Sequence, residues 1–274
     1  VPFPALTSST NYRNHRKLAI FDGRVGYAGG MNIALRYVKG TGTQPWRDTM
    51  VRVRGNAVYG LQRTFLVDWF FVDRTLITDR RYYPEFVLPD TSCLTQVVTS
   101  SPIDPWPEIE QGYVSILHGA RQYVYIETPY FLPTEPILFA LRTAAISGVD
   151  VRLMLPFHAD SKFVSWASRS FVRETVEAGV KVLFYAKGFN HSKLLVCDDG
   201  LATIGSTNVD FRSFEHDFES NLFFYDRSMA LRVKQVFLAD QAQCIPFERL
   251  HDASAHNLFR RLWESLVRLL SPLM

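Results

Sequence analysis

Apolar positions in this chain follow two periods. Residues 122–127 (QYVYIE), 150–155 (DVRLML) and 180–185 (VKVLFY) are short, nearly continuous apolar runs, the pattern of strands buried on both faces. Between them, 134–147 and 161–178 carry helical periodicity, with Thr134 placed as an N-cap and Gly148 and Gly179 at the helix ends. Strand and helix alternating in this way predict a largely parallel sheet with helices on both faces. Upstream, 49–54 (TMVRVR) reads as a strand and about 56–71 as an amphipathic helix. The Pro-rich stretch SSPIDPWPE (100–108) is the expected linker between a first half, 1–99, and a second half, 109–274. The C-terminal stretch NLFRRLWESLVRLLSPLM places Leu258, Phe259, Leu262, Leu266, Leu269 and Leu270 on one helical side and Arg260, Arg261 and Arg268 elsewhere. A terminal amphipathic helix packed on the domain is expected there.

The chain contains an internal repeat. With His15 placed on His191, Asn14 falls on Asn190, Lys17 on Lys193, Asp22 on Asp198, Gly29 on Gly205, Asn32 on Asn208 and Arg36 on Arg212, without a gap over 23 positions. Both segments, NHRKLAIFDGRVGYAGGMNIALR and NHSKLLVCDDGLATIGSTNVDFR, read as a β-hairpin turning after Asp22 or Asp198. Only 14 residues precede His15, and the chain opens at Val1 without an initiator Met. By the symmetry of the repeat, a strand–helix–strand–helix–strand stretch like that ahead of the second copy is expected upstream.

Composition narrows the class. With 274 residues, 47% hydrophobic and 21% charged, the chain can bury a substantial core and is not expected to be disordered. A formal net charge of +3 does not suggest a polycationic nucleic-acid binder but suits an anionic substrate or membrane surface. Cys93, Cys197 and Cys244 include no C-x-x-C pair, so a reducing compartment is the simpler expectation. No apolar run approaches the ~20 residues of a membrane-spanning helix.

The repeat supplies the chemistry. One H-x-K-x4-D pattern is a weak signal; two, each followed by a matched G-x-x-N, are a strong one. His and Lys at i and i+2 of a strand share a face, and the Asn at +17 returns toward it. Two such faces give two His, two Lys and two Asn around one cavity, an arrangement suited to a phosphodiester. One imidazole can attack phosphorus to form a phosphohistidine. The other can protonate the leaving alkoxide and then deprotonate the incoming hydroxyl. Lys17, Lys193, Asn32 and Asn208 can hold the non-bridging oxygens. The side chains supply the positive charge, so neither a metal nor a cofactor is expected. Each imidazole needs a carboxylate on its other nitrogen. Asp48 and Glu219, 33 and 28 residues after their own motif histidines, are the candidates. Asp22 and Asp198, beside the hairpin turns, are expected to be structural. Gly30 and Ser206 match each other in the repeat and either shape the phosphate site or permit tight packing. Tyr130 either lines the pocket or is a core aromatic.

On these motifs, and on the stretches WRDTMVRVRGNAVYGLQRTFLVDW, ETPYFLP, AISGVDVRLMLP and RLLSPLM, the chain resembles the phospholipase D superfamily, and more narrowly the bacterial cardiolipin synthases, over nearly its whole length. The resemblance implies an α/β, duplicated phospholipase D-like fold: two mixed, mainly parallel sheets flanked by helices, with the active site at the pseudo-twofold interface. It implies transfer of a phosphatidyl group from one phosphatidylglycerol to another with release of glycerol, His15 as nucleophile and His191 as acid/base. It also implies N-terminal membrane helices, absent from these residues, and a catalytic part on the cytoplasmic side of the bacterial inner membrane. Ser192 and Asp217 depart from the family pattern at the rim of the site. The expected partners are an anionic phospholipid and the membrane surface, with no nucleic acid. Phe131, Leu132, Phe163, Trp166 and Phe171 are candidates for an apolar approach for acyl chains. The alternatives are a hydrolase or nuclease using water as acceptor, and a non-catalytic lipid-binding module.

Overall fold

A computed structural model describes residues 12–41, 44–86, 93–250 and 258–269. The first half runs β1 (Arg13–Asn14), β2 (Leu18–Phe21), β3 (Val25–Gly29), α1 (Arg36–Lys39), β4 (Trp46–Arg47), β5 (Met50–Arg54), α2 (Ala57–Asp73) and β6 (Thr95–Ser100). Next come α3 (Glu108–Gly119), β7 (Tyr123–Glu127), β8 (Phe131–Leu132), α4 (Glu135–Ile146), β9 (Asp150–Pro156), α5 (Lys162–Glu177) and β10 (Lys181–Tyr185). The second motif then follows as β11 (Phe189–Asn190), β12 (Leu194–Cys197), β13 (Leu201–Gly205), β14 (Val209–Asp210), α6 (Phe211–Glu215) and β15 (Asp217–Phe224). The chain closes with α7 (Arg227–Gln241), β16 (Cys244–Pro246) and α8 (Leu258–Arg268).

The main sheet has nine strands in the order β1-β15-β13-β12-β7-β9-β10-β16, with β6 also paired to β15. The strands of the apolar runs, β7, β9 and β10, are parallel to one another. The β12–β13 hairpin, β15, β6 and β16 join them antiparallel, so the sheet is mixed rather than mainly parallel. The repeat explains this, because each motif hairpin brings antiparallel pairing into a parallel βαβ frame. In the first half, β2, β3 and β5 form a separate three-stranded antiparallel sheet.

Alternation along β7 divides the core. Val124 and Ile126 face a cluster with residues of α3, α4 and α5, including Tyr113, Leu141 and Phe171. Tyr123 and Tyr125 face the other side, with Val58 and Leu61 of α2 and Val233 and Phe237 of α7. Burial on both faces accounts for the continuous apolar runs. Although β6 lies ahead of the Pro-rich stretch, it pairs with Glu219–Phe224, so the two halves share one sheet.

Two local expectations change. The Thr134 hydroxyl does not cap α4; it donates to the Glu110 carboxylate. On α8, Glu264 and Val267 are buried, whereas Leu266 and Leu269 are exposed. Charge sets this rotation. Arg173 of α5 pairs with Glu264, Arg268 reaches Glu174 at 2.7 Å, and the Arg268 guanidinium covers the Phe171 ring at 4.0 Å. The side chains of Leu258, Phe259, Leu262, Leu270 and Phe163 lie outside the described residues.

Asp22 and Asp198 both adopt left-handed φ values, 52° and 49°, in the hairpin turns. Asp198 accepts hydrogen bonds from the backbone N–H groups of Arg121, Gln122 and Tyr123 at 2.7, 2.9 and 2.8 Å, fixing the start of β7 against the second motif. Asp198→Ala is expected to cost about 2 kcal/mol of stability, the loss of charge-assisted bonds at a partly solvated strand end. Urea unfolding measures it, with Asp198→Asn retaining part of the loss.

Candidate active site

The two motif histidines meet because each half lends a strand to the other. The strand before the first motif, β1, runs parallel to the start of β15, pairing Arg13 with Asp217 and Asn14 with Phe218. Its repeat counterpart β11 runs parallel to β4, pairing Phe189 with Trp46 and Asn190 with Arg47. The ladder ends alike in both places: His15 N–H donates to the Phe218 carbonyl at 2.9 Å and His191 N–H to the Arg47 carbonyl at 2.7 Å.

This pairing exchanges the orienting carboxylates. His15 Nδ1–H donates to Glu219 Oε1 at 2.7 Å, and His191 Nδ1–H to Asp48 Oδ2 at 2.7 Å. Asp48 therefore holds the histidine of the second half and Glu219 that of the first, the reverse of the same-half pairing expected from sequence distance. A segment just after β4 or at the start of β15 cannot turn back onto its own motif while its neighbour is a strand of the other half. Both carboxylate side chains are fully buried. With Nδ1 bonded, Nε2 of each ring is left for chemistry.

Around each carboxylate the repeat uses a different device. Ser206 Oγ donates to Glu219 and is itself fully buried. At the matching position, a Cβ on Gly30 would stand 2.3 Å from Asp48 Oδ1, so only glycine lets that carboxylate approach. Gly30 and Ser206 thus lie behind the carboxylates and shape the site through them. Asn14 and Asn190 form a second matched pair. Their side-chain oxygens accept from the N–H of Arg16 and Ser192, each at 3.0 Å, and their amides donate to Asp68 and Glu127. The repeat register aligned these asparagines; nothing in their residue type alone marked them as braces of the motif loops. Ser192, expected at the rim, is buried and faces Thr49 across the halves at 2.9 Å.

The motif lysines are buried as well. Lys17 Nζ donates to the His15 carbonyl at 2.5 Å and Lys193 Nζ to the His191 carbonyl at 2.6 Å. Burial lowers both ammonium groups, Lys17 to about 8 and Lys193 to about 7, against the opposing pull of Glu219 and Asp48. The Lys17 charge acts on both His191 and Lys193, so the two motifs share one electrostatic environment. His191 is lowered to about 4, first by burial and then by Lys193. Glu219 is held below the ordinary carboxylate range, its burial outweighed by His15. Asp217 beside it is pushed up to about 6 by burial.

The asparagines of the repeat differ. Asn208 is buried, and its amide oxygen has no partner among the described residues. Asn32 donates to the Tyr37 hydroxyl at 3.2 Å, and that hydroxyl lies 3.4 Å from His191 Nδ1. Trp46, Tyr37, Phe189 and Tyr130 surround the His191 ring, with centroids 5.4 to 6.4 Å away. Tyr130 also donates to Asp160 at 2.6 Å. Of this aromatic enclosure only Tyr130 stood out in the sequence, since the other rings come from three separate short elements, α1, β4 and β11. Among the described residues, one group of metal-ligating atoms lies within 4.8 Å of each other: His15, Asp217 and Glu219. Within it, His15 Nδ1 and Glu219 Oε1 are bonded to each other at 2.7 Å.

Comparison with known proteins places this arrangement. The family model described as "Cardiolipin synthase, PLD-like domain" matches residues 113–241. A cardiolipin synthase of Clostridium perfringens (strain SM101 / Type A) is 39% identical over 272 residues, covering 96% of this chain and 56% of that protein. One from Listeria innocua serovar 6a is 39% identical over 274 residues, covering 99% of this chain and 56% of that protein. The chain therefore spans a little over half the length of these curated relatives. The crystal structure of phosphatidylserine synthase from Haemophilus influenzae Rd KW20 shares the fold, with a TM-score of 0.73 at 13% identity over 96% of this chain and 72% of that one.

The exchanged carboxylates make a specific expectation. Glu219→Gln should shift the side-chain 15N resonances of His15, and Asp48→Asn those of His191; same-half pairing would give the opposite assignment. Gly30→Ala should behave as Asp48→Asn does, each lowering the rate of phosphodiester turnover by about 10²–10⁴-fold without unfolding the protein.

Proposed function

We propose that this chain, similar over residues 113–241 to the PLD-like domain of cardiolipin synthases and over nearly its whole length to curated members, is the catalytic part of a phosphatidyltransferase making cardiolipin from two phosphatidylglycerol molecules with release of glycerol. The carrying observation is the carboxylate exchange, which orients two imidazoles within one electrostatic environment with two buried lysines. The extended likeness to cardiolipin synthases selects the lipid reaction from the chemistry such a site permits.

In the first step, His15 Nε2 attacks phosphorus while Glu219 holds its Nδ1–H. The bond from phosphorus to the glycerol oxygen breaks, and the departing alkoxide takes a proton from His191, leaving a phosphatidyl group on His15. In the second step, a hydroxyl of another phosphatidylglycerol gives its proton to His191 and attacks phosphorus. The P–N bond breaks and its electron pair returns to His15. Burial and Lys193 keep His191 unprotonated at neutral pH. Its acid role therefore requires the anionic substrate, whose charge offsets that of Lys193. Lys17, Lys193 and the side-chain amides of Asn32 and Asn208 surround the phosphate, their N–H groups donating to its non-bridging oxygens.

The substrates are anionic lipids, so the site works at a membrane surface, on the cytoplasmic side of the bacterial inner membrane. None of the described helices is long and apolar enough to cross a membrane.

Full-length protein incubated with labelled phosphatidylglycerol should yield cardiolipin and glycerol in equal amounts. Phosphatidic acid as sole product, with water as acceptor, would refute the transferase reading. The phosphohistidine should map to His15 and be lost in His15→Ala. The lysines carry charge only below their folded-state pKa values of about 7 and 8. Accordingly kcat/KM for monomeric short-chain phosphatidylglycerol should fall as pH rises through that range.

A further inference from the structure

A cavity of about 360 Å³ lies between β8, the ends of β9 and β10, and α5, and shares Tyr130 with the aromatic enclosure of His191. Its wall is mostly apolar: Phe131, Leu155, Val164, Val172 and Phe184 contribute, and Phe247 closes one side. No acidic side chain lines it, and its charged lining residues are Arg169 and Arg173. Arg173 is occupied by Glu264 of α8, and Arg169 is 42% exposed with the same carboxylate 3.9 Å away. Of the residues expected from sequence to provide an apolar approach, Phe131 lines this cavity, whereas Leu132, Trp166 and Phe171 do not.

Resting on the transferase reading, we propose that this cavity receives one acyl chain of the phosphatidyl donor while its phosphate lies between the motif histidines. Three observations select this occupant. The cavity adjoins the site, because Tyr130 forms part of its wall and packs edge-on against His191 with ring centroids 6.4 Å apart. Its lining is predominantly hydrocarbon, with Ser165, Ser168, Tyr130 and the two arginines as its polar members. Its size falls within the range of about 300–1,000 Å³ typical of small-molecule sites. A chain leaving a bilayer exchanges one apolar environment for another, so the lipid can be raised to the phosphate site without exposing that chain to water. The Tyr130–Asp160 hydrogen bond of 2.6 Å holds the dividing ring in place.

The test uses full-length protein and phosphatidylglycerols of increasing chain length, all kept monomeric. For these, kcat/KM should rise about fourfold per methylene entering the cavity and level off once it is full. Ser168→Phe, from the α5 wall, and Ala159→Trp, at the exposed mouth, should flatten the rise; Ser168→Ala should preserve it. Two substitutions are used because the wall position is packed and the mouth position is open, and thermal melts identify a variant that fails to fold. In parallel, binding of lysophosphatidylglycerols of the same lengths to His15→Ala protein reads the cavity without turnover. Chain-length dependence that neither bulky substitution alters, in rate or in binding, overturns the proposal even if cardiolipin is formed. Binding that responds to both substitutions supports it even if no transfer product appears, and that second result would count against the transferase reading alone.

Discussion

The structure depends on a hydrogen bond made twice: an imidazole Nδ1–H to a fully buried carboxylate supplied by the other half of the chain. Taking two carboxylates out of water is expensive unless each finds a charged or donating partner. Here the partners are the groups that the chemistry needs. The anions Asp48 and Glu219 orient the imidazoles and also oppose the cost of burying Lys17 and Lys193. Removing either carboxylate would therefore free a ring and leave an ammonium group less compensated, so orientation and charge balance cannot be separated at this site.

The two motifs are symmetric in backbone and unequal in surroundings. The histidine carbonyls accept from the lysines alike, and the asparagine braces match. Yet His191 is enclosed by four aromatic rings and nearly buried, whereas the His15 side chain is 27% exposed beside Asp217 and Glu219. A reaction passing a group from one imidazole while the other handles protons requires such inequality, since identical environments would give both rings the same proton affinity. The repeat supplies the frame, and the differences at Tyr37, Trp46 and Ser206 make the two sides chemically distinct.

Much of this was legible from residue order. The apolar runs at 122–127, 150–155 and 180–185 correspond to β7, β9 and β10, because their shortness and the Gly-ended helical stretches between them distinguish buried strands from helix. The gapless repeat aligned the pairs His15/His191, Lys17/Lys193 and Asn14/Asn190. Partnership between halves was not legible. Asp48 and Glu219 could be picked out as carboxylates near strands, but sequence distance favoured the wrong histidine for each, since nothing in local pattern encodes an exchange of strands as short as β1 and β11. Mixed sheets were expected, but not the extent of antiparallel pairing or the sharing of one sheet by both halves: the hairpins were visible, but not the edge on which each would add. On α8 the leucine stripe suggested one face, while the Arg173–Glu264 and Arg268–Glu174 pairs selected another.

The partners in the His15–Glu219 bond are 204 residues apart in the chain. During synthesis at about 5–20 residues per second, His15 would emerge roughly 10–40 s before the carboxylate that orients it. Throughout that interval, the edge of β1 that will pair with β15 has no strand to meet, and the buried lysine of the first motif has no Glu219 to oppose its desolvation. Until residue 219 has been made, the site cannot close, whatever the rest of the first half has done. A chain cut short before Glu219 therefore lacks the orienting carboxylate of His15 however complete its first motif is.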